Sequence, residues 1–197
     1  EDVNLLLDGR ATAIVGQNGA GKTTLVKLLK GLLKPVGGSI YYAGEDMAGK
    51  TVAMLAEEVG YVFQNPDDQI FKYHVIDEVM FGPQNIGMSK EQAKNRAMEA
   101  LKTVGLEALA KENPYDLELS QRKLVAIASV LAMDTKVLIL DEPTIAQDWN
   151  GRRLLQKIIR TLQKQGKMVI AILHDMDFVA ECFERVIVMA HGKVLAD

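Results

Sequence analysis

The sequence predicts an α/β fold: a largely parallel β-sheet with helices on both faces, interrupted by a helical insert. Three observations lead there. Short apolar strand-like runs alternate with amphipathic helical stretches, the pattern that parallel sheets produce. One strand-like run passes through a glycine-rich loop into a helix. A stretch of roughly 74–133 has no strand-like run and breaks the alternation.

The elements read as follows. Ala11–Val15 is a β-like run closing at Gly16. Thr23–Lys34 reads as a helix, with Leu25, Leu28, Leu29 and Leu32 at i, i+3, i+4 and i+7, and Lys27, Lys30 and Lys34 on another face. Pro35 and Gly37-Gly38 are its expected terminators. Ser39–Tyr42 and Val59–Phe63 are short strands. From His74 to Ala110 the chain is rich in Met and Ala at helical spacing with few β-branched residues, and Ser120–Met133 is a further helix. Lys136–Leu140 is a buried strand. Gly151–Gln165 is an amphipathic helix with Leu154, Leu155, Ile158, Ile159 and Leu162 inward. Met168–Leu173 is a strand, Met176–Phe183 a helix, Val186–Met189 a strand and Lys193–Ala196 strand-like. No internal repeat of about 20–50 residues is visible.

Composition narrows the function classes. The 197 residues are 48% hydrophobic and 25% charged, which excludes a disordered or collagen-like chain. Lys+Arg number 23 against 26 Asp+Glu, a net charge of −3, with no basic run; a nucleic-acid partner is not expected. The longest apolar or small-residue stretch, Leu124–Met133, is far short of the ~20 residues that span a bilayer. Cys182 stands alone, so no internal disulfide is possible and a reducing compartment fits. It reads as a small buried hydrophobe. No signal peptide opens the chain. Glu1–Asp8 lead almost at once into the first strand, which reads as a sequence cut short.

The strongest chemical signal is Gly16-Gln17-Asn18-Gly19-Ala20-Gly21-Lys22-Thr23, a full G-x-x-x-x-G-K-[ST] match between a strand and a helix. The glycines let the backbone curl so that its N–H groups face phosphate oxygens, and the helix start adds its positive end. Gln17 to Lys22, with Thr23 and Thr24, are the expected nucleotide-binding residues. Lys22 supplies a charge for the β/γ-phosphates, and the Thr23 hydroxyl can ligate Mg²⁺. Val137–Leu140 then deliver Asp141 and Glu142 to the carboxyl end of a buried strand, where ligands of such sheets bind. Asp141 would hold Mg²⁺ through water and Glu142 would polarise an attacking water. His174 follows Met168–Leu173 in the same way and can donate to a terminal phosphate. Gln64 ends the Val59–Phe63 run, before a polar loop containing Pro66. His74 and His191 have no such setting.

In this order the phosphate loop, Gln64, the helical insert, Leu119–Ala128, Asp141-Glu142-Pro143-Thr144, Asp148 and His174 resemble an ATP-binding-cassette (ABC) ATPase over essentially the whole chain. The run from Tyr61 to Phe71 is similar, more narrowly, to the ATPases of energy-coupling-factor (ECF) importers, which take up vitamins and transition-metal ions. The resemblance implies a P-loop NTPase core of mainly parallel sheet with an antiparallel β region. That core covers residues 1–73 and 134–197, and 74–133 form a helical subdomain ending in the signature helix. It implies ATP and Mg²⁺ as cofactors and makes Glu142 the general base. Gln64 becomes a Mg²⁺ contact relaying nucleotide state, His174 the γ-phosphate contact and Asp148 the D-loop aspartate. The implied partners are a second ABC ATPase subunit, a transmembrane coupling subunit and a separate substrate-binding membrane subunit. The implied place is the cytoplasmic face of the cell membrane.

Two departures stand out. The family signature LSGGQ falls on Leu117-Glu118-Leu119-Ser120-Gln121 when Pro114 keeps its usual offset; a gapped alternative pairs Leu119-Ser120 with its first two residues. Either way both glycines are gone, which leads to the expectation of a heterodimer with a cassette carrying a complete signature. The aromatic that stacks on adenine in the family is also missing, since no aromatic precedes Tyr41. Two other readings are a nucleotide-binding regulatory subunit with little turnover and a soluble ABC ATPase.

Overall fold

A computed structural model describes residues 3–197. The chain runs β1 (Thr12–Gly16), α1 (Lys22–Leu29), β2 (Tyr41–Tyr42), β3 (Glu45–Asp46), α2 (Val52–Ala56) and β4 (Val59–Val62). It continues with α3 (Val75–Asn85), α4 (Lys90–Thr103), α5 (Leu119–Leu131), β5 (Val137–Asp141), α6 (Trp149–Lys164), β6 (Met168–Ile172), α7 (Met176–Cys182), β7 (Arg185–Ala190) and β8 (Lys193–Ala196).

The main sheet has the order β4-β5-β6-β1-β7-β8. Its pairs are parallel except the last, where β8 returns antiparallel to β7. β2 and β3 form a separate antiparallel hairpin. The central strands are buried on both faces, which explains their continuous apolar runs. Along β5 the period of two is still visible: Val137 and Ile139 pack with Leu25 and Val26 of α1, while Leu138 and Leu140 join the helices of the other face. That second cluster also takes in Val79 of α3, Ala97 and Leu101 of α4, and Val125 and Ile127 of α5. The helices between residues 75 and 131 therefore share one core with the sheet.

Element boundaries follow local chemistry. Ser89 and Gln92 close a reciprocal capping box on α4, which satisfies two otherwise orphaned donors. The Asp148 carboxylate accepts from Gly151 N–H at 2.7 Å and starts α6. α1 is shorter than its leucine spacing suggests. It ends at Leu29 with Lys30 as cap, and Gly31 turns the chain at φ 75°. Leu32 is consequently exposed, whereas Lys30, expected on the solvent face, is buried. Its ammonium donates to the Val59 carbonyl. The strand expected over Ser39–Tyr42 is confined to Tyr41–Tyr42. α2 and β3 are additions, short and mostly exposed; α2 starts at a Thr51 cap and fixes itself through buried Leu55.

Candidate functional site

Four neighbouring parallel strands end on the same side of the sheet, and each delivers one part of the site. β1 leads into the glycine loop. A Cβ at Gly16 would lie 2.1 Å from the Met189 carbonyl oxygen of β7, so only glycine allows that approach. Gly21 caps α1 in the left-handed region, φ 95°. Lys22 is buried, and its Nζ donates to the carbonyls of Gly16 at 2.8 Å and Gln17 at 3.1 Å. The loop borders a cleft of about 370 Å³ lined by Asn18, Gly19, Ala20, Gly21, Lys22, Thr23, Thr24, Gln64 and Glu142.

β5 delivers the carboxylates. Asp141 is buried, and its Oδ2 accepts from the Tyr61 hydroxyl of β4 at 2.8 Å. Burial pushes the Asp141 pKa up, while the Tyr61 and Thr23 hydroxyls pull it down. Burial, and then the Asp141 charge, push Tyr61 well above the ordinary phenol value, so it remains a donor. Asp141 Oδ1 is buried with no hydrogen-bond partner. An orphaned carboxylate oxygen beside the Thr23 hydroxyl suits a hard cation, which takes oxygen ligands.

Glu142 is held from every side. Its backbone is left-handed, φ 51°, and its N–H donates to Ile172 O at 3.1 Å. Its Oε2 accepts from Gln64 Nε2 at 2.8 Å, and its Oε1 lies 2.9 Å from His174 Nε2. Gln64 comes from the end of β4, His174 from the end of β6. They stand 78 and 32 residues away in sequence, and only the parallel register brings them to one carboxyl group. A carboxylate so placed at the rim of the glycine-loop cleft can accept a proton from a water entering it.

The loop after Gln64 is fastened to the helices behind it. Gln69 accepts from Phe63 N–H and donates to Ala126 O and Ser129 Oγ of α5. The buried Glu78 carboxylate of α3 accepts from the N–H groups of Phe71 and Lys72, both at 2.9 Å. Beyond it Phe71, Tyr73 and Phe81 are exposed, and the Lys72 ammonium lies 4.9 and 4.6 Å from the Phe71 and Phe81 ring centres.

Leu117–Gln121 and Asp148 do not line the cleft. Glu118 is the exposed N-cap of α5, its N–H donating to Gln121 Oε1 at 3.2 Å. Gln147 Nε2 donates to Ser120 O at 3.0 Å. The sequence alone assigns no role to Tyr61, Gln69, Glu78 or Lys123. A hydroxyl inside the apolar run Val59–Val62, and a lysine beside Leu124–Ala128, were the available signals. A second cleft of about 190 Å³ lies between α4, α5 and α6; its Asp134 is already paired with Arg96 and Lys167.

Comparison with known proteins follows the same lines. Residues 2–145 match the model of the ABC transporter family. A protein of Pyrococcus furiosus named as an ABC transporter ATP-binding protein is 43% identical over 98% of this chain and 75% of its own length. An energy-coupling factor transporter ATP-binding protein, EcfA, of Methanosphaera stadtmanae is 40% identical over 96% of this chain and 69% of its own. The chain spans only 32% of a longer Methanosarcina acetivorans relative that is 46% identical. Among solved structures, CbiO1 of Clostridium perfringens, part of the ABC transporter complex CbiONQ, superposes with a TM-score of 0.84 at 39% identity. That match covers 95% of this chain and 76% of CbiO1. A dimeric ATP-binding cassette in a post-hydrolysis state with ADP and Pi superposes with a TM-score of 0.90 at 28% identity, over 98% and 87% of the two chains.

Proposed function

The chain belongs to the ABC transporter family of ATP-binding proteins, which hydrolyse ATP to drive transport, and on that premise we propose that it powers an importer of the ECF type. The observation that carries the reading is the Glu142 carboxylate, held by Gln64 and His174 at the rim of the phosphate-loop cleft. The EcfA and CbiO1 likenesses support the narrower class.

In this reading the backbone of Gln17–Thr24 and the Lys22 ammonium bind the triphosphate of ATP. Thr23, Asp141 through water and Gln64 would hold Mg²⁺, whose positive charge would offset that of the phosphate oxygens. Glu142 takes the proton of the attacking water. His174 contacts the γ-phosphate, while its bond to Glu142 orients that carboxylate. Gln64 touches the same carboxylate and begins a loop fastened to α3 and α5, so it is placed to relay nucleotide state outward. The exposed Phe71, Tyr73 and Phe81 beyond it form the docking groove for a transmembrane coupling subunit, with a separate membrane subunit binding the transported vitamin or metal ion. We assign residues 1–73 and 134–197 to the nucleotide-binding core and 74–133 to the helical subdomain.

No helix among the described residues is long and apolar enough to cross a membrane, so attachment would be peripheral, through that groove. The partner cassette would be a different chain with a complete signature, making a heterodimer. Glu118 favours one competing reading, a regulatory subunit with little turnover, because it places an exposed carboxylate where the family has the signature serine.

Intact-mass analysis of the complex purified from membranes tests the proposal. The expected composition is this chain, one different cassette and membrane subunits. Recovery only as a soluble homodimer or with soluble partners would overturn it. ATP turnover by the assembled complex separates the importer ATPase from a regulatory subunit.

A further inference from the structure

Lys123 is a buried charge next to the site that the chemistry above does not use. Lys123, in the second turn of α5, is 5% exposed. Its Nζ donates to the backbone carbonyl of Glu142 at 2.9 Å. Burial lowers its pKa, while the charges of Glu142 and Asp141 raise it. Burying an ammonium is costly, and a methionine of similar length would pack there without that cost. A role in position explains the lysine better than a role in stability.

The geometry of Glu142 supplies that role. A residue with a side chain seldom adopts a left-handed backbone, and where it does the surroundings enforce it. At Glu142 three contacts do so: its N–H donates to Ile172 O at 3.1 Å, and its carbonyl accepts from Lys123 Nζ at 2.9 Å and, over a longer 3.4 Å, from Ile145 N–H. Without Lys123 the carbonyl keeps only the long 3.4 Å bond from Ile145 N–H, the left-handed backbone loses its shorter restraint, and the carboxylate drifts from the point where Gln64 and His174 meet it. Lys123 also lies two residues after Gln121. A second contact, Gln147 to the Ser120 carbonyl, ties the same helical turn to the loop that follows Glu142.

We propose that Lys123 is a positioning residue: it holds the Glu142 main chain in its left-handed conformation and couples the first turns of α5 to that carboxylate. The proposal rests on the reading of Glu142 as the general base. A displacement of α5 at its N-terminus is then passed directly to Glu142, without travelling through the nucleotide.

The test is a mutant cycle in the assembled complex, with ATP as the probe. Lys123→Met should lower kcat about 10- to 100-fold, the scale of a catalytic group misplaced by about 1 Å. KM and nucleotide affinity should stay within about twofold, since Lys123 does not line the cleft. Lys123→Arg, which keeps a donor, should recover most of the turnover. In a Glu142→Gln background, Lys123→Met should change the residual single-turnover rate by less than about twofold, because it acts through a base already removed. Unchanged kcat in Lys123→Met would overturn the proposal, as would the same fold-loss in both backgrounds. If the methionine variant does not assemble, Lys123→Arg is compared with the shorter Lys123→Gln, and equal losses in the two overturn it. Near-normal turnover in Glu142→Gln alone would instead reject the reading of Glu142, which separates the two failures.

Discussion

Glu142→Gln is the most informative single substitution. The glutamate accepts from Gln64 Nε2 at 2.8 Å through Oε2 and faces His174 Nε2 at 2.9 Å through Oε1. Glutamine has the same shape, with one oxygen and one amide nitrogen. Its oxygen can still accept from Gln64. Its NH₂ can donate to His174 when the imidazole carries its proton on Nδ1. The constellation therefore survives, and what disappears is the capacity to accept a proton from water. Loss of a general base costs about 10²–10⁴ in rate, equivalent to about 3–5 kcal/mol in the barrier. ATP affinity should hold or rise, because a negative charge at the rim of the phosphate cleft is removed. The assay is phosphate release by the assembled complex at saturating ATP, with nucleotide affinity measured by equilibrium binding. Turnover within about tenfold of the parent at unchanged affinity would show that another group activates the water. A fall in affinity would show that Glu142 serves binding.

Lys22→Ala should weaken ATP binding about 10- to 100-fold, since it deletes the ammonium held over the loop and a charge-assisted hydrogen bond is worth about 1.5–3 kcal/mol; isothermal titration checks it, and unchanged affinity rejects the phosphate-loop assignment. Ser120→Ala should cost the complex far less turnover than Glu142→Gln, and an equal loss would exclude unequal composite sites. Tyr61→Phe should lower the unfolding free energy by about 1.5–3 kcal/mol, because it strips the buried Asp141 carboxylate of a partner; a urea titration showing no change would mean that Asp141 finds another donor. Lys30→Met bears on pH. Burial depresses the Lys30 pKa from 10.5 to about 8, so the unfolded chain binds this proton more tightly, and stability rises as pH climbs from 8 to 10.5. At 1.36 kcal/mol per unit the wild type should gain on the order of 3 kcal/mol relative to the variant across that window; parallel stability curves for the two would refute the assignment.

The sheet was legible because both of its faces are covered. Runs such as Leu138–Leu140 have few alternatives to a buried strand, and following such runs to their carboxyl ends picks out Gln64, Asp141, Glu142 and His174, whereas Glu118, Ser120, Gln121 and Asp148 rest on the family resemblance. The misses share a physical origin. Leucine periodicity through Leu32 is a statement about faces, but Gly31 ends α1 before that face reaches Leu32. Lys30 looked like a solvent residue because sequence records charge and not the carbonyl of Val59 waiting under the helix. The roles of Tyr61 and Lys123 were hidden for the same reason: each makes one hydrogen bond to a residue far along the chain, 80 and 19 positions away. Gln64, Glu142 and His174 could each be suspected separately. Their meeting at one carboxyl group depends on the β4-β5-β6 register, which no local pattern encodes.

The N-terminus of α5 gives the unequal-sites reading its physical basis. A helix of 13 residues carries partial positive charge and unpaired N–H groups at its start, which together attract anions. In the family the signature occupies such a position with two glycines, leaving the backbone open to a γ-phosphate. Here Glu118 is the N-cap and Leu119 the first helical residue, both exposed. A carboxylate at that point gains from the same helix end and so competes with a phosphate for it, and the leucine side chain keeps any ligand further from the backbone. Yet the phosphate-binding end of the other half is assembled, with Gln64 and His174 meeting Glu142 beside the glycine loop. On the proposed reading, a chain that builds the phosphate-loop half and closes the signature half would not form two good sites with its own copy. It would form one with a cassette whose helix end is open, and the proposed Lys123 contact would then let that partner's own site bear on this chain's Glu142 through α5.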